Sequence, residues 1–400
     1  LVPPEDGRAP GRGDGLLPTY LAGAGHMIAG SAMTPLLPLY AVMLGASPAV
    51  IGVVAASSAV LPFLLGIWAG AGTDVLGARR MIQIGAGLHT ASALVVASAP
   101  AIPLVVLGAA TAGLATNVMV IAGQTSVAHQ SAPEDWDKNY GVYAFWYSAG
   151  QVLGPLAGGF LADSYSIRAA FYACAAVAAL PLLFASWIPR QATRAASNGA
   201  ASVIWAREVH RSVWQLMKRR DLRFILSIAF LIIFAWSIKS SFLPLYLQAV
   251  GLPKAEIGLI YSCLGVGAMI IRPLIGALIG RFGRRRVLLS AVVLGAVAIG
   301  AIPFLRQFLP LAIVVLAGGV AWGITQPVTM SMMAGSVDVR ERGLALSLRV
   351  TSNRLGEVVS PVVFGLLVTL TGLAGAFAVA ALALGVGVVV IARSAKTVGF

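Results

Sequence analysis

The chain has 400 residues, of which 58% are hydrophobic and 10% charged, with a formal net charge of +14 and a mean hydropathy of +0.89. Soluble domains carry about 25% charged residues, so this chain has too little polar surface for a water-soluble globule, and a large soluble catalytic domain is excluded. Nucleic-acid binding is excluded as the reading of the net charge, because the charges sit in short clusters between apolar runs, as in membrane proteins.

A polar tail, residues 1–17, comes first, and its acids and arginines do not read as a secretory signal. Apolar runs follow at about 18–44, 49–71, 81–99, 102–128, 139–162 and 168–188, each sufficient for a membrane-spanning helix of about 20 residues. Residues 189–223 are polar and basic, and 205–220 can form a helix lying on the bilayer, with Trp205 and Trp214 at the interface. Further runs fall at about 224–250, 255–280, 287–304, 309–335, 344–370 and 373–392, before a tail at 393–400. The expected architecture is an all-α polytopic membrane protein of twelve transmembrane helices, with six-helix halves at 18–188 and 224–392. Cys174 and Cys263 both lie inside apolar runs and suggest neither a disulfide framework nor a metal site.

The two halves are copies. A shift of 206 residues, without a gap, places Leu37-Pro38-Leu39-Tyr40 on Leu243-Pro244-Leu245-Tyr246, and Gly45, Ile51 and Gly52 on Gly251, Ile257 and Gly258. It also places Gly70, Gly77, Arg79 and Arg80 on Gly276, Gly283, Arg285 and Arg286, and Gly150, Pro155 and Gly159 on Gly356, Pro361 and Gly365. An ungapped register held by Gly, Pro, Tyr and Arg means internal duplication. An even number of spans per half gives both halves the same orientation. Lys and Arg crowd one side: the linker, Arg79 and Arg80, Arg281 and Arg284 to Arg286, and the tail residues Arg393 and Lys396. Only Arg168, Lys254 and Arg306 lie opposite. The positive-inside rule puts both termini and the linker in the cytoplasm, with the chain multi-pass in the cytoplasmic (inner) membrane.

Two motifs stand out. After the second run come Gly70, Asp74, Gly77 and Arg79, with a copy at Gly276, Arg281, Gly283 and Arg285 in which Gly280 takes the acid's place. Glycines allow a tight turn there, and an acid can sit against the N-terminal end of a neighbouring helix. In the fifth run Gly141, Gly150, Gly154, Pro155, Gly158 and Gly159 follow G-x8-G-x3-G-P-x2-G-G. Gly150, Gly154 and Gly158 share a helical face that admits a close neighbour, and Pro155 removes a helix donor.

The chain resembles the major facilitator superfamily of twelve-helix secondary transporters over nearly its whole length. The resemblance implies that the first motif latches the two halves on the cytoplasmic side. It implies that the fifth-run motif is the signature of exporters, and that helices 1, 4, 7 and 10 line a central cavity while helix 3 lies outside. One departure is Ala109, four residues before Gly113, where drug exporters of the family often carry arginine.

Ionisable groups inside the membrane are costly and mark function. Glu357 is the only membrane-interior carboxylate, and Arg354 lies three residues earlier, within reach on the same face. A buried carboxyl holds a proton and a paired one releases it, so a pair that makes and breaks is a candidate coupling site. A permanent brace is the alternative. Lys239 and His26 are further coupling candidates, while His89 reads as packing and Arg272 and Arg349 as snorkelling to the surface. Cavity candidates are Asn117 and Gln124 in the fourth run, Trp236 and Tyr246 in the seventh, and Trp322 and Gln326 in the tenth. Such faces suit a small organic molecule.

No P-loop, metal-ligand cluster or nucleophile–base set is present in the sequence, so no cofactor, metal or enzymatic activity is expected. The expected function is secondary active transport of a small organic compound by alternating access, directed outward and coupled to protons, in a monomer embedded in the lipid bilayer. Four interior bases against one acid favour an anionic or zwitterionic substrate. An importer or facilitator of a metabolite, or a non-transporting sensor or partner protein, would share the same sequence features.

Overall fold

A computed structural model describes residues 14–190, 216–337 and 342–393. The tail before residue 14, the proposed interfacial helix up to residue 215 and the tail after residue 393 lie outside the described residues. The helices are α1 (Leu17–Met43), α2 (Pro48–Leu76), α3 (Ala78–Ser98), α4 (Ile102–Gln130), α5 (Trp136–Ser164) and α6 (Ile167–Ser186). The second half holds α7 (Arg220–Ala249), α8 (Lys254–Ile271 and Ile275–Phe282, joined by a 3-10 turn), α9 (Arg284–Ala301) and α10 (Phe308–Gly335). The last helical run, Arg342–Arg393, breaks at Gly372, where φ is 72°, into α11 (342–371) and α12 (373–393).

Local sequence sets many of these ends. Ser47 and Ser166 cap α2 and α6 by accepting from Val50 N and Ala169 N, satisfying donors that a helix start leaves free. Gly77 and Gly283 turn the chain between α2 and α3 and between α8 and α9 at φ 81° and 78°, a backbone conformation that side chains disfavour. Among the described residues ten stretches are long and apolar enough to cross a membrane. One of them, Leu348–Val390, spans both α11 and α12, and α5 is not among them because its glycines, with Trp146, Tyr147 and Gln151, dilute its hydropathy. Trp68, Phe304 and Leu370 are 73%, 86% and 80% exposed, which suits contact with lipid rather than water. The chain is an all-α multi-pass membrane protein.

The duplication holds at the level of single contacts. Tyr40 donates to Ala99 O at 2.7 Å and meets Phe171 edge-on, and Tyr246 does the same with Leu305 O at 2.8 Å and Phe377. The halves meet where α2 packs on α11 and α5 on α8. Gly52 faces the carbonyl of Pro361 while its counterpart Gly258 faces that of Pro155; Gly365 sits against Pro48 and Gly159 against Lys254. No side chain fits between these backbones. All four contacts lie toward the end of the bundle opposite Gly77 and Gly283, so the halves are clamped at that end.

Candidate functional site: the central cavity

Between the halves lies a cavity of about 350 Å³. Its walls come from α1, α2, α4, α7, α10 and α11, and His89 of α3 also reaches it. Gly30 and Gly113 stand in its wall, Gly30 against His89 and Gly113 pressed on the backbone of α2 at Ser58, while Thr34, Ser58, Thr116 and three serines of α7 (Ser237, Ser240, Ser241) line it with hydroxyls. Trp236 and Trp322 form an apolar wall, stacked at 4.5 Å and 14°.

Arg354 and Glu357 line the cavity. Arg354 Nη1 donates to Glu357 Oε2 at 2.7 Å, and Nη2 reaches Asn117 Oδ1 of α4 at 3.4 Å, so the pair also touches the other half. The two side chains are 29% and 35% exposed. An ion pair open to solvent is worth about 0–1 kcal/mol, which suits a contact that opens more than one that braces. Asn117 is half-buried, and its Nδ2 is buried and unpartnered among the described residues.

Several candidates sit elsewhere than the sequence suggests. Lys239 is on a cavity helix but only 2% exposed. Its Nζ lies 3.2 Å from the centre of the Trp236 ring, behind the tryptophan wall and beside Gly318. Helical spacing puts Trp236 and Lys239 near one another, and the aromatic face, the best partner on offer in a dry site, draws the ammonium back from the cavity. Tyr246 is spent on the Leu305 carbonyl at the end of α7. Gln124 does not line the cavity, and its carbonyl accepts from Tyr140. Gln326 accepts from Arg349 at 3.1 Å; that arginine is 6% exposed, so it is held inside rather than snorkelling. Arg272 donates to Ser148 Oγ of α5 at 2.6 Å and ties the halves together.

His26 is fully enclosed and meets His89, Nδ1 to Nδ1, at 2.9 Å. His89 is therefore no isolated packing residue: α3 turns it inward, against Gly30.

The helix-5 glycines divide their work. Gly150, Gly154 and Gly158 press on α1 at Met27, Ile28, Ser31 and Ala32, Gly159 presses on α8, and Gly141 faces open space. Near the paired turns, Arg79 donates to Ile188 O at 3.3 Å and Arg285 to Ala392 O at 2.8 Å. Each cation caps the C-terminal end of a helix in its own half, where the helix dipole favours it. Gly70 and Gly276 are open, and Arg80 and Arg281 face outward. The side chain of Asp74 lies outside the described residues. The hydroxyl row of α7 went unsingled in the sequence, though the repeat held a signal: Thr34 and Ser240 are counterparts and both line the cavity. Among the described residues no cluster of His, Cys, Asp or Glu could hold a metal.

A family model described as Major Facilitator Superfamily matches residues 19–253 and 225–397. Multidrug resistance protein MdtG of Klebsiella pneumoniae (strain 342) is 26% identical over 222 residues, 54% of this chain and 52% of that protein; the chain thus spans about half the length of this relative. Multidrug resistance protein 2 of Bacillus subtilis (strain 168) is 22% identical over 344 residues, 83% of each. The crystal structure of the nucleoside transporter NupG superposes with a TM-score of 0.79 at 15% identity, covering 96% of this chain and 99% of that one, a likeness of fold.

Proposed function

The chain belongs to the major facilitator superfamily and is a transporter of that family, and from this premise we propose that it exports a small amphipathic organic compound from the cytoplasm, driven by protons. Export is favoured by the complete helix-5 glycine motif and by likeness to two proteins named for multidrug resistance. With the arginine-rich loops in the cytoplasm, the clamp at the opposite end makes this an inward-facing state of an alternating-access cycle. Substrate enters from the cytoplasm, the α2–α11 and α5–α8 contacts open, and the halves close at the basic end.

The observation that carries the reading is the Arg354–Glu357 pair, a carboxylate at 2.7 Å from its partner and open to the cavity. A zwitterionic substrate opens the pair by setting its acidic group on Arg354, whose second nitrogen already reaches across to Asn117, and its cationic group on Glu357. A proton arriving on Glu357 cancels the carboxylate's charge and displaces the substrate, and release of the proton restores the pair. Proton and substrate therefore compete for one carboxylate, as exchange in opposite directions requires. Lys239, Arg272 and Arg349 add to the positive field of the interior.

The test is Glu357→Gln in proteoliposomes. Transport driven by a pH gradient is expected to be lost while exchange of substrate across the membrane survives. Gradient-driven transport that persists with unchanged pH dependence would overturn the coupling role. Accumulation of substrate on the cytoplasmic side would make the chain an importer instead.

A further inference from the structure

Among the described residues the first half holds no ionisable group in the cavity wall except the imidazole of His89, and behind it stands His26. The two rings meet edge to face, with centroids 4.8 Å apart at 61°. Their Nδ1 atoms are 2.9 Å apart, and both Nε2 atoms are buried without a hydrogen-bond partner. An Nδ1–Nδ1 contact at that distance requires one ring to donate an N–H and the other to accept it. The donor ring then has a bare Nε2 lone pair, and the acceptor ring carries its own proton on Nε2. The pair as built is neutral, with one vacant site for a proton.

We propose that His26 and His89 form a second proton-binding site, which takes up a single proton from the cavity through His89. His89 is the donor ring of the pair, and its free Nε2 is the atom that accepts. It lies behind Gly30, where an added Cβ would stand 3.3 Å from His89 Cε1 and 3.8 Å from Nε2; the glycine leaves a window between ring and cavity. When a proton binds to His89 Nε2, the ring becomes an imidazolium and its Nδ1–H stays bonded to His26 Nδ1. When the proton leaves, the neutral pair is restored. A second proton has no place to go, because both Nδ1 atoms are engaged with each other and the remaining Nε2 is already protonated. The site is therefore stoichiometric.

Nothing else nearby takes over that role. On α5, Tyr143 packs on Gly23, one turn from His26, and Tyr147 lies one turn further. From α6 come Cys174 and Arg168, the latter bonded to Tyr40 near the clamped end. His129 stands at the last turn of α4, Asp74 near the end of α2, and Arg79 and Arg80 at the start of α3. On α1 itself Tyr20 and Tyr40 lie near opposite ends. Across the cavity stand Arg354 and Glu357, paired with each other, and Lys239 is turned away behind Trp236. The histidines hydrogen-bond only to one another among the described residues.

What the proton does in the cycle rests on the proton-coupled reading above; that the pair binds it does not. The experiment uses the full chain in lipid nanodiscs, with His129→Asn and His210→Asn to leave two histidines and with ¹⁵N-labelled imidazoles. Ring nitrogen shifts are followed from about pH 4 to about pH 9, a range that brackets imidazole titration. The expected result is one coupled step in which His89 gains a proton and His26 Nδ1 shifts with it. Two independent steps, or two rings neutral throughout, would overturn the site. In proteoliposomes, His89→Gln is expected to lower the protons moved per substrate by one while gradient-driven transport continues. An unchanged ratio would overturn the role of the site in transport and leave the Glu357 reading standing.

Discussion

The two halves of this chain share a scaffold and differ in their charges. Several contacts that fix the shape recur under the 206-residue shift: Tyr40 with Ala99 and Phe171 against Tyr246 with Leu305 and Phe377, Gly52 on Pro361 against Gly258 on Pro155. The charges and imidazoles inside the spans do not recur. Arg354 and Glu357 answer to Ser148 and Gln151, Lys239 to Met33, and His26 and His89 to Ile232 and Gly295. The contrast has a physical cause. Backbone-to-backbone packing tolerates no added atoms, so a duplicated fold keeps its small residues wherever both copies make the same close contact. An ionisable group in a membrane is costly wherever it sits, so it stays only where it does something. In this chain that divides the work, carboxylate and guanidinium in one wall, imidazoles in the other.

The largest expected effect tests the shared scaffold. An added Cβ at Gly154 would run into the backbone of α1 at Ile28, whereas its counterpart is Ser360, a residue with a side chain already. Gly154→Leu is expected to abolish transport, since overpacking costs about 1–3 kcal/mol and forces the helices apart. Ser360→Gly should leave transport near the wild-type rate. If Gly154→Leu is made at normal levels and still transports, the glycine face is not what holds α5 on α1.

A smaller effect is expected from the asymmetry of charge. Lys239→Met gives the second half the residue of the first and removes a buried ammonium from behind Trp236. It should weaken export of anionic substrates severalfold and leave folding intact, because a methionine fills similar volume in an apolar surround. Competition assays with anionic, zwitterionic and permanently cationic dyes read this out. Robust export of the cationic dye by the wild type, unchanged in Lys239→Gln, would remove the case for an anionic substrate.

The smallest effect measures how alike the copies are. Tyr40→Phe and Tyr246→Phe each delete one buried hydrogen bond, worth about 0.5–1.5 kcal/mol. Tyr40 also accepts from Arg168 Nε at 3.0 Å, so its loss should lower the thermal midpoint more than that of Tyr246. Equal shifts would mean that Arg168 adds nothing, and a larger shift for Tyr246 would mean that the copies are stabilised differently.

The sequence by itself determined the helical membrane architecture, the duplication and the polarity of the basic loops. Each rests on a signal local to the chain: hydropathy over a span, residues in register, charge near a span's end. It also brought Arg354 and Glu357 together, because three residues on a helix are neighbours whatever surrounds them. Membership of a cavity is a different kind of fact. Trp236, Lys239 and Tyr246 share a helix face by spacing, yet one lines the cavity, one is held behind a ring and one caps a neighbouring carbonyl at the helix end. Depth along the helix and the rotation imposed by packing on the last helical run, α11 and α12, decide among them. The meeting of His26 with His89, 63 residues apart, and the window at Gly30 depend on how α3 is turned against α1. Helix-to-helix rotation is fixed by packing among many side chains at once, and no single stretch of sequence carries it.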